Sequence, residues 1–226
     1  MKRAFKLLSV IVLLPLSSFA QRNYKPGFVV TIKGDTLKGY IDYRGWDLNP
    51  TKIRFQPLTN YKPIKFSVSD ITSFEIYKIA KYQRYIGMIS MDDASAEHMI
   101  EYRDTSFKVD TVFLEVLQKG ENVALYSYSD AKKERFFIGD TPDYYPVELG
   151  YRLYYDPGHS NPVTGQGRTV NENTYMKQLL ALAAKYNALY DSLQRDIEQS
   201  DYKPVYLVHI VKMINEAAGM PGATKK

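Results

Sequence analysis

Between Gly27 and Tyr43 the chain reads GFVVTIKGDTLKGYIDY, two runs rich in β-branched and aromatic residues flanking Gly34-Asp35. A Gly-Asp pair in that setting signals a two-residue hairpin loop, because glycine takes positive φ without steric cost. With Gly34 and Asp35 as the loop, Lys33 faces Thr36. Ile32 then faces Leu37, Val30 faces Gly39 and Phe28 faces Ile41, all on one face. Thr31, Lys38 and Asp42 fall on the other. Alternation that agrees across two strands specifies a register. A chain with this hairpin is committed to an antiparallel sheet.

The period of two continues beyond it. Arg44–Thr51 (RGWDLNPT) is a turn-rich corner in which Trp46, the single tryptophan, packs. Lys52–Phe55, Ile64–Val68 and Ile71–Tyr77 predict a third, fourth and fifth strand, and Lys81–Ile89 a sixth. Ser90–Glu97 is a polar acidic loop, and His98–Tyr102 and Ser106–Val112 are further strand candidates. Phe113–Ile138 reads as three consecutive antiparallel strands. Val147–Tyr155 supplies one more strand or a short helix packed on the sheet. Asp156–Thr169 (DPGHSNPVTGQGRT) is rich in turn residues and nearly free of apolar ones, the composition of a linker.

After that segment the period changes. Tyr175, Leu179, Leu182, Tyr186, Leu189 and Leu193 step by 4, 3, 4, 3 and 4. That is one helical stripe, with Asn171 or Asn173 as N-cap, docked on the β-domain. Pro204 opens a second helix and Gly219 with Pro221 closes it. The fold class expected is α+β: an antiparallel β-meander or partly closed β-barrel-like domain over 21–155, a linker loop over 156–170, and a C-terminal helical hairpin in 171–226.

The first twenty residues predict export. Lys2, Arg3 and Lys6 precede the apolar run Leu7–Leu16, and Ser17, Ser18 and Ala20 supply the small residues of a cleavage site. The run is short for a membrane span of roughly 20 residues. The chain contains no cysteine. That excludes a lipid-anchored cysteine, disulfides and thiol catalysis, and no cofactor is expected. The formal charge is +5. Three of those charges belong to the leader, which has no acid, leaving +2 on the rest. That near balance gives no reason to expect a nucleic-acid partner.

The segments GFVVTIKGDTLKGYIDYRGWDLNPTKIRF, FSVSDITSFEI, and VFLEVLQKGENVALYSY with KERFFI resemble a group of uncharacterised exported proteins of Bacteroidota-type Gram-negative bacteria. The resemblance covers roughly Tyr24 to Tyr155, and more loosely Tyr175–Leu180. It implies an N-terminal envelope module of the kind that often precedes an outer-membrane β-barrel. It carries no catalytic residue. The residues after Asn171 are too few for a barrel of at least eight alternating segments. The resemblance therefore implies a module acting alone or beside a separately encoded barrel, in the periplasm or on the periplasmic face of the outer membrane.

Chemistry-bearing residues are scattered. His98, His159 and His209 have no zinc-site spacing. Asp92, Asp93, Glu97 and His98 form the densest acidic cluster, whose ordinary reading is a solvated loop. Gly158–Pro162 has a proline where a nucleophile elbow needs its second glycine. Glu75, Glu101, Glu115, Asp140 and Asp143 leave a glycosidase pair open, because the separation of carboxylates is not written in a sequence. Tyrosine is abundant, at 20 residues, and Tyr144, Tyr145, Tyr151, Tyr154 and Tyr155 cluster as candidate ligand- or partner-binding residues. Tyr82, Tyr85, Tyr126 and Tyr128 fit cross-strand packing better. The function expected is a non-catalytic envelope interaction module. The alternatives are a glycan- or small-ligand-binding domain built on exposed tyrosines, and a hydrolase of envelope polymers.

Overall fold

Alternating residues become strands over nearly all the expected stretches. A computed structural model describes residues 23–57, 62–93, 100–156, 158 and 168–218. The expected leader lies outside them. The strands are β1 (Tyr24–Thr31), β2 (Thr36–Asp42), β3 (Lys52–Gln56), β4 (Ile64–Ser67), β5 (Ile71–Ile76), β6 (Ala80–Ser90), β7 (Phe107–Lys119), β8 (Val123–Ser129), β9 (Glu134–Asp140), β10 (Val147–Glu148), β11 (Arg152–Asp156) and β12 (Arg168–Glu172). The first ten form one antiparallel sheet in the order β10-β9-β8-β7-β6-β5-β1-β2-β3-β4, and β11 pairs with β12 alone. The fold is α+β with an open sheet and a helical end.

The first hairpin forms, with a different register from the one expected. Val29 faces Leu37, Val30 faces Thr36 and Phe28 faces Lys38. The turn is larger than Gly34-Asp35. The Gly34 amide donates to the Thr31 carbonyl at 3.0 Å, and Thr31 and Asp35 close the loop through Thr31 N–H to Asp35 O at 2.9 Å. Gly34 takes φ 92°, so the one residue suited to the left-handed region follows the tight turn instead of opening it. The offset is an odd number of residues, so the buried face changes. Val29 and Ile41 are buried, while Ile32 is 56% exposed.

The sheet curls twice. Only Val68–Asp70 separate β4 from β5, so the edge strand β4 returns beside the middle of the sheet and β1 pairs with both β2 and β5. This half encloses Val29, Ile41, Ile53, Phe55, Phe74, Ile76, Tyr82 and Phe113. Trp46 packs edge-on against Tyr43, Phe74 and Tyr82, as the turn-rich corner required. Ser106–Val112 and Phe113–Gln118 fuse into the single 13-residue β7. Strands β6 to β10 curl around a second cluster that includes Tyr85, Ile89, Val112, Leu114, Tyr126 and Phe137.

Helices cover the opposite face of β8 and β9. They are α1 (Thr174–Lys185), α2 (Asp191–Glu198) and α3 (Pro204–Ala218), and they bury Leu179, Leu193, Leu207 and Val211 against Val123, Leu125 and Phe136. Among the described residues three helices stand where two were expected. The stripe from Tyr175 breaks at Asn187, which takes φ 54°. Its amide donates to Ala184 O at 3.1 Å, and the next amide, Ala188, to Ala183 O at 2.8 Å. This paired closure is the Schellman end of a helix, and asparagine is one of the few residues that tolerates its left-handed position. Pro204 opens α3 as expected. Gly219 and Pro221, the expected stop, lie outside the described residues. Among those residues no helix is long and apolar enough to cross a membrane. The ends of the expected linker, Asp156 and Arg168–Val170, are in strands.

Candidate functional site: the gap between two strand edges

Strand β6 lies beside β5 at its start, between β5 and β7 at Tyr82–Gln83, and beside β7 beyond. Ala80–Gln83 pair with β5, while the pairing with β7 runs from Tyr82 to Ser90. Among the described residues no strand lies along Arg84–Ser90 on the side away from β7. The curl of the second half brings β10 opposite this edge. A cavity of about 460 Å³ occupies the space, lined by Tyr85, Met88, Ser90, Tyr145, Val147 and Glu148 among others.

Side chains cap the backbone groups of the edge. The Tyr145 hydroxyl donates to Ile86 O at 3.1 Å, and the Tyr85 hydroxyl to Met88 O at 3.4 Å. The Ser90 amide and hydroxyl both donate to the Glu148 carboxylate, the amide at 3.0 Å. Burial pushes the Tyr85 phenol up to about 12, with Tyr145 and Glu148 adding to the effect, so it stays a donor. On the facing edge, Gln178 of α1 donates to Glu148 O at 3.0 Å and accepts from the Gly150 amide at 2.8 Å. One carboxamide thus supplies a donor and an acceptor to one edge, as a neighbouring backbone would. Gly87 leaves room for this closure, since a Cβ there would strike the Tyr85 phenol.

Below the gap lies a network of buried charges. Arg135, with no exposed side-chain surface, donates from Nε to Ser90 O at 2.8 Å and pairs with Asp130 at 3.0 Å. Asp92 and Lys133 are 2.8 Å apart and both almost fully buried. Burial pulls the Lys133 ammonium below the usual lysine range, against Asp92, which holds it up. The acidic cluster read from sequence is therefore divided: Asp92 serves an ion pair, and Glu97 and His98 lie outside the described residues. No group of three metal-ligating side chains occurs among the described residues.

Of the five candidate tyrosines, Tyr145 and Tyr151 line the cavity. Tyr145 is exposed, whereas Tyr151 stacks on Tyr202 at 4.6 Å between centroids. Tyr144, at φ 54°, turns away and donates to the carbonyls of Gly120 and Glu121. Tyr154 and Tyr155 sit in β11, opposite Val170 and Thr169. Tyr82, Tyr85 and Tyr126 are buried, as cross-strand packing required. Sequence reading missed Ile86, Met88, Ser90, Phe107, Val109 and Glu148. One signal was present: RYIGMIS (84–90) is apolar on both alternating faces, the pattern of a strand covered on both sides. Here Ile86 and Met88, on one of those faces, are each more than half exposed. Compared with protein-family models, with curated proteins and with solved structures, the chain matches none.

Proposed function

We propose that this protein is a non-catalytic module of the cell envelope that binds another protein across the gap between β6 and β10. The observation that carries this reading is a strip of bare apolar surface along the gap. Met88, Phe107, Val109, Tyr145 and Val147 are each more than half exposed. Met88 lies directly opposite Val109, and Ser90 opposite Phe107, so the strip is continuous across two strands. Contiguous apolar surface of this kind marks interaction sites. The charged, apolar and small-residue leader supports an envelope location, and the resemblance supports a separately encoded outer-membrane barrel as the first partner to test. The alternatives gain less from the geometry. A sugar platform needs several free tyrosine faces, and Tyr151 has given one of its own to Tyr202. For hydrolysis the described lining offers one carboxylate, Glu148, already bonded to Ser90.

The test is site-specific photocross-linking in the producing bacterium. A benzophenone residue at Met88 is expected to give a discrete adduct with one envelope protein. The same residue at Ile64, on the opposite edge strand, gives none. No adduct from Met88, or the same adducts from both positions, overturns the reading.

A further inference from the structure

We infer that the gap is a strand acceptor: the partner contributes one extended segment that lies along Arg84–Ser90 of β6, antiparallel to it, and completes the second curl of the sheet. The inference rests on the proposed function and specifies the chemistry of its site.

The first support is direction. Each of the pairs β6–β7, β7–β8, β8–β9 and β9–β10 is antiparallel. Five strands in alternation leave the first and last parallel to each other. One strand antiparallel to both is what continues the alternation around the ring. Adjacent strands lie about 4.8 Å apart, so a single missing strand leaves its flanking edges about 9.6 Å apart. The Tyr145 and Glu148 side chains reach β6 across the opening.

The second support is the row of backbone groups. In an antiparallel strand the N–H and C=O of one residue point to the same side, and successive residues alternate. Ile86 O, Met88 O, Ser90 N and Ser90 O all meet side chains rather than β7. Residues 86, 88 and 90 therefore face the gap. The amides of Ile86 and Met88 point the same way and meet no strand among the described residues. Such a row pairs with extended polypeptide, and side-chain pockets beside it set the sequence.

Charge sets the orientation. Arg84 stands where the free edge begins. Its Nε is buried without a hydrogen-bond partner among the described residues. Glu148 stands at the other end, on Ser90. A strand antiparallel to β6 brings its C-terminal or acidic end to Arg84 and its N-terminal or basic end to Glu148. Between them Met88, Phe107 and Val147 favour apolar residues at alternate positions. The Tyr145 hydroxyl and the Glu148 carboxylate leave the edge when the segment enters.

The experiment uses the full chain and random heptapeptides displayed on phage. Peptides with alternating apolar residues are expected to be enriched, with basic residues early and acidic residues late. Bound, they are expected to slow amide hydrogen exchange at both Ile86 and Met88. N-methylation of alternate peptide residues abolishes binding in one frame and is tolerated in the other. Met88→Lys, a surface change that blunts an edge, weakens binding by about tenfold or more. No enriched peptide, enriched peptides that leave both amides unprotected, or equal tolerance of N-methylation in both frames overturns strand acceptance. A partner cross-linked at Met88 that leaves those two amides exchanging as before overturns this inference while leaving the proposed function standing.

Discussion

Lys133 and Asp92 show what a buried pair costs when it is broken. Each is nearly without exposed surface, and Asp92 Oδ1 has no partner. Removing one member leaves a charge in a poorly solvated site, and Asp92→Ala is expected to destabilise the protein by about 3 kcal/mol. The double replacement Asp92→Leu with Lys133→Met restores most of the loss, since it leaves no unpaired charge. Urea denaturation of the two variants measures both. Glu172 gives a pH dependence of known sign. Arg103 donates to both its oxygens, at 2.6 and 2.7 Å, and holds its carboxyl below the usual glutamate range despite partial burial. A folded carboxyl that titrates below its unfolded value adds stability that is complete above about pH 4.3 and is lost as pH falls through the folded value. In Arg103→Gln that acid-labile contribution shrinks. Exchange of the β11 amides at acidic pH, compared with the parent chain, is the measurement.

Helix α3, already packed on the sheet through Leu207 and Val211, is also tied to the β7–β8 turn by the side chain of Asn215. Asn215 accepts from the amides of Asn122 and Val123 at 3.1 and 3.0 Å and donates to Val123 O at 3.0 Å. Gly120 keeps that approach open, because a Cβ there would strike the Asn215 amide. Asn215→Leu leaves two turn amides unsatisfied and is expected to cost about 2 kcal/mol in urea midpoint analysis. At the α1 end, Asn187→Gly is expected to be neutral or slightly stabilising. Asn187→Val costs about 1 kcal/mol or more, since a β-branched residue is strained at φ 54°. These elements also show what was legible beforehand. Strand positions through β9 followed from alternation, because each strand has a wet and a dry face or a partner on both. The first hairpin's register did not, because the turn enlarged around Gly34. The end of α1 was hidden because the apolar spacing ran on through Leu189 and Leu193. In the fold Leu193 is buried on α2 and Leu189 is exposed. The candidate site was hidden for a topological reason: Ser90 and Glu148 meet across 58 residues only because the sheet curls.

At the scale of the whole molecule, two curled half-sheets share the long strands β6 and β7, and they differ at their margins. The first half is brought round by the three-residue link between β4 and β5. The second is bridged by side chains from Tyr145 and Glu148, while Gln178 caps the β10 edge, where a strand's backbone would serve. Helices α1 to α3 stiffen β8 and β9 and hold β10 in place, so the gap is flanked by supported elements. In the free protein the far half of β6 is an edge that no strand among the described residues covers. Residue-resolved amide hydrogen exchange of the purified full chain tests it. The amides of Tyr85, Gly87 and Ile89, directed at β7, are predicted to exchange slowly, and those of Ile86 and Met88 to exchange far faster. Equal protection of all five would mean that the edge is already paired, and would contradict the account.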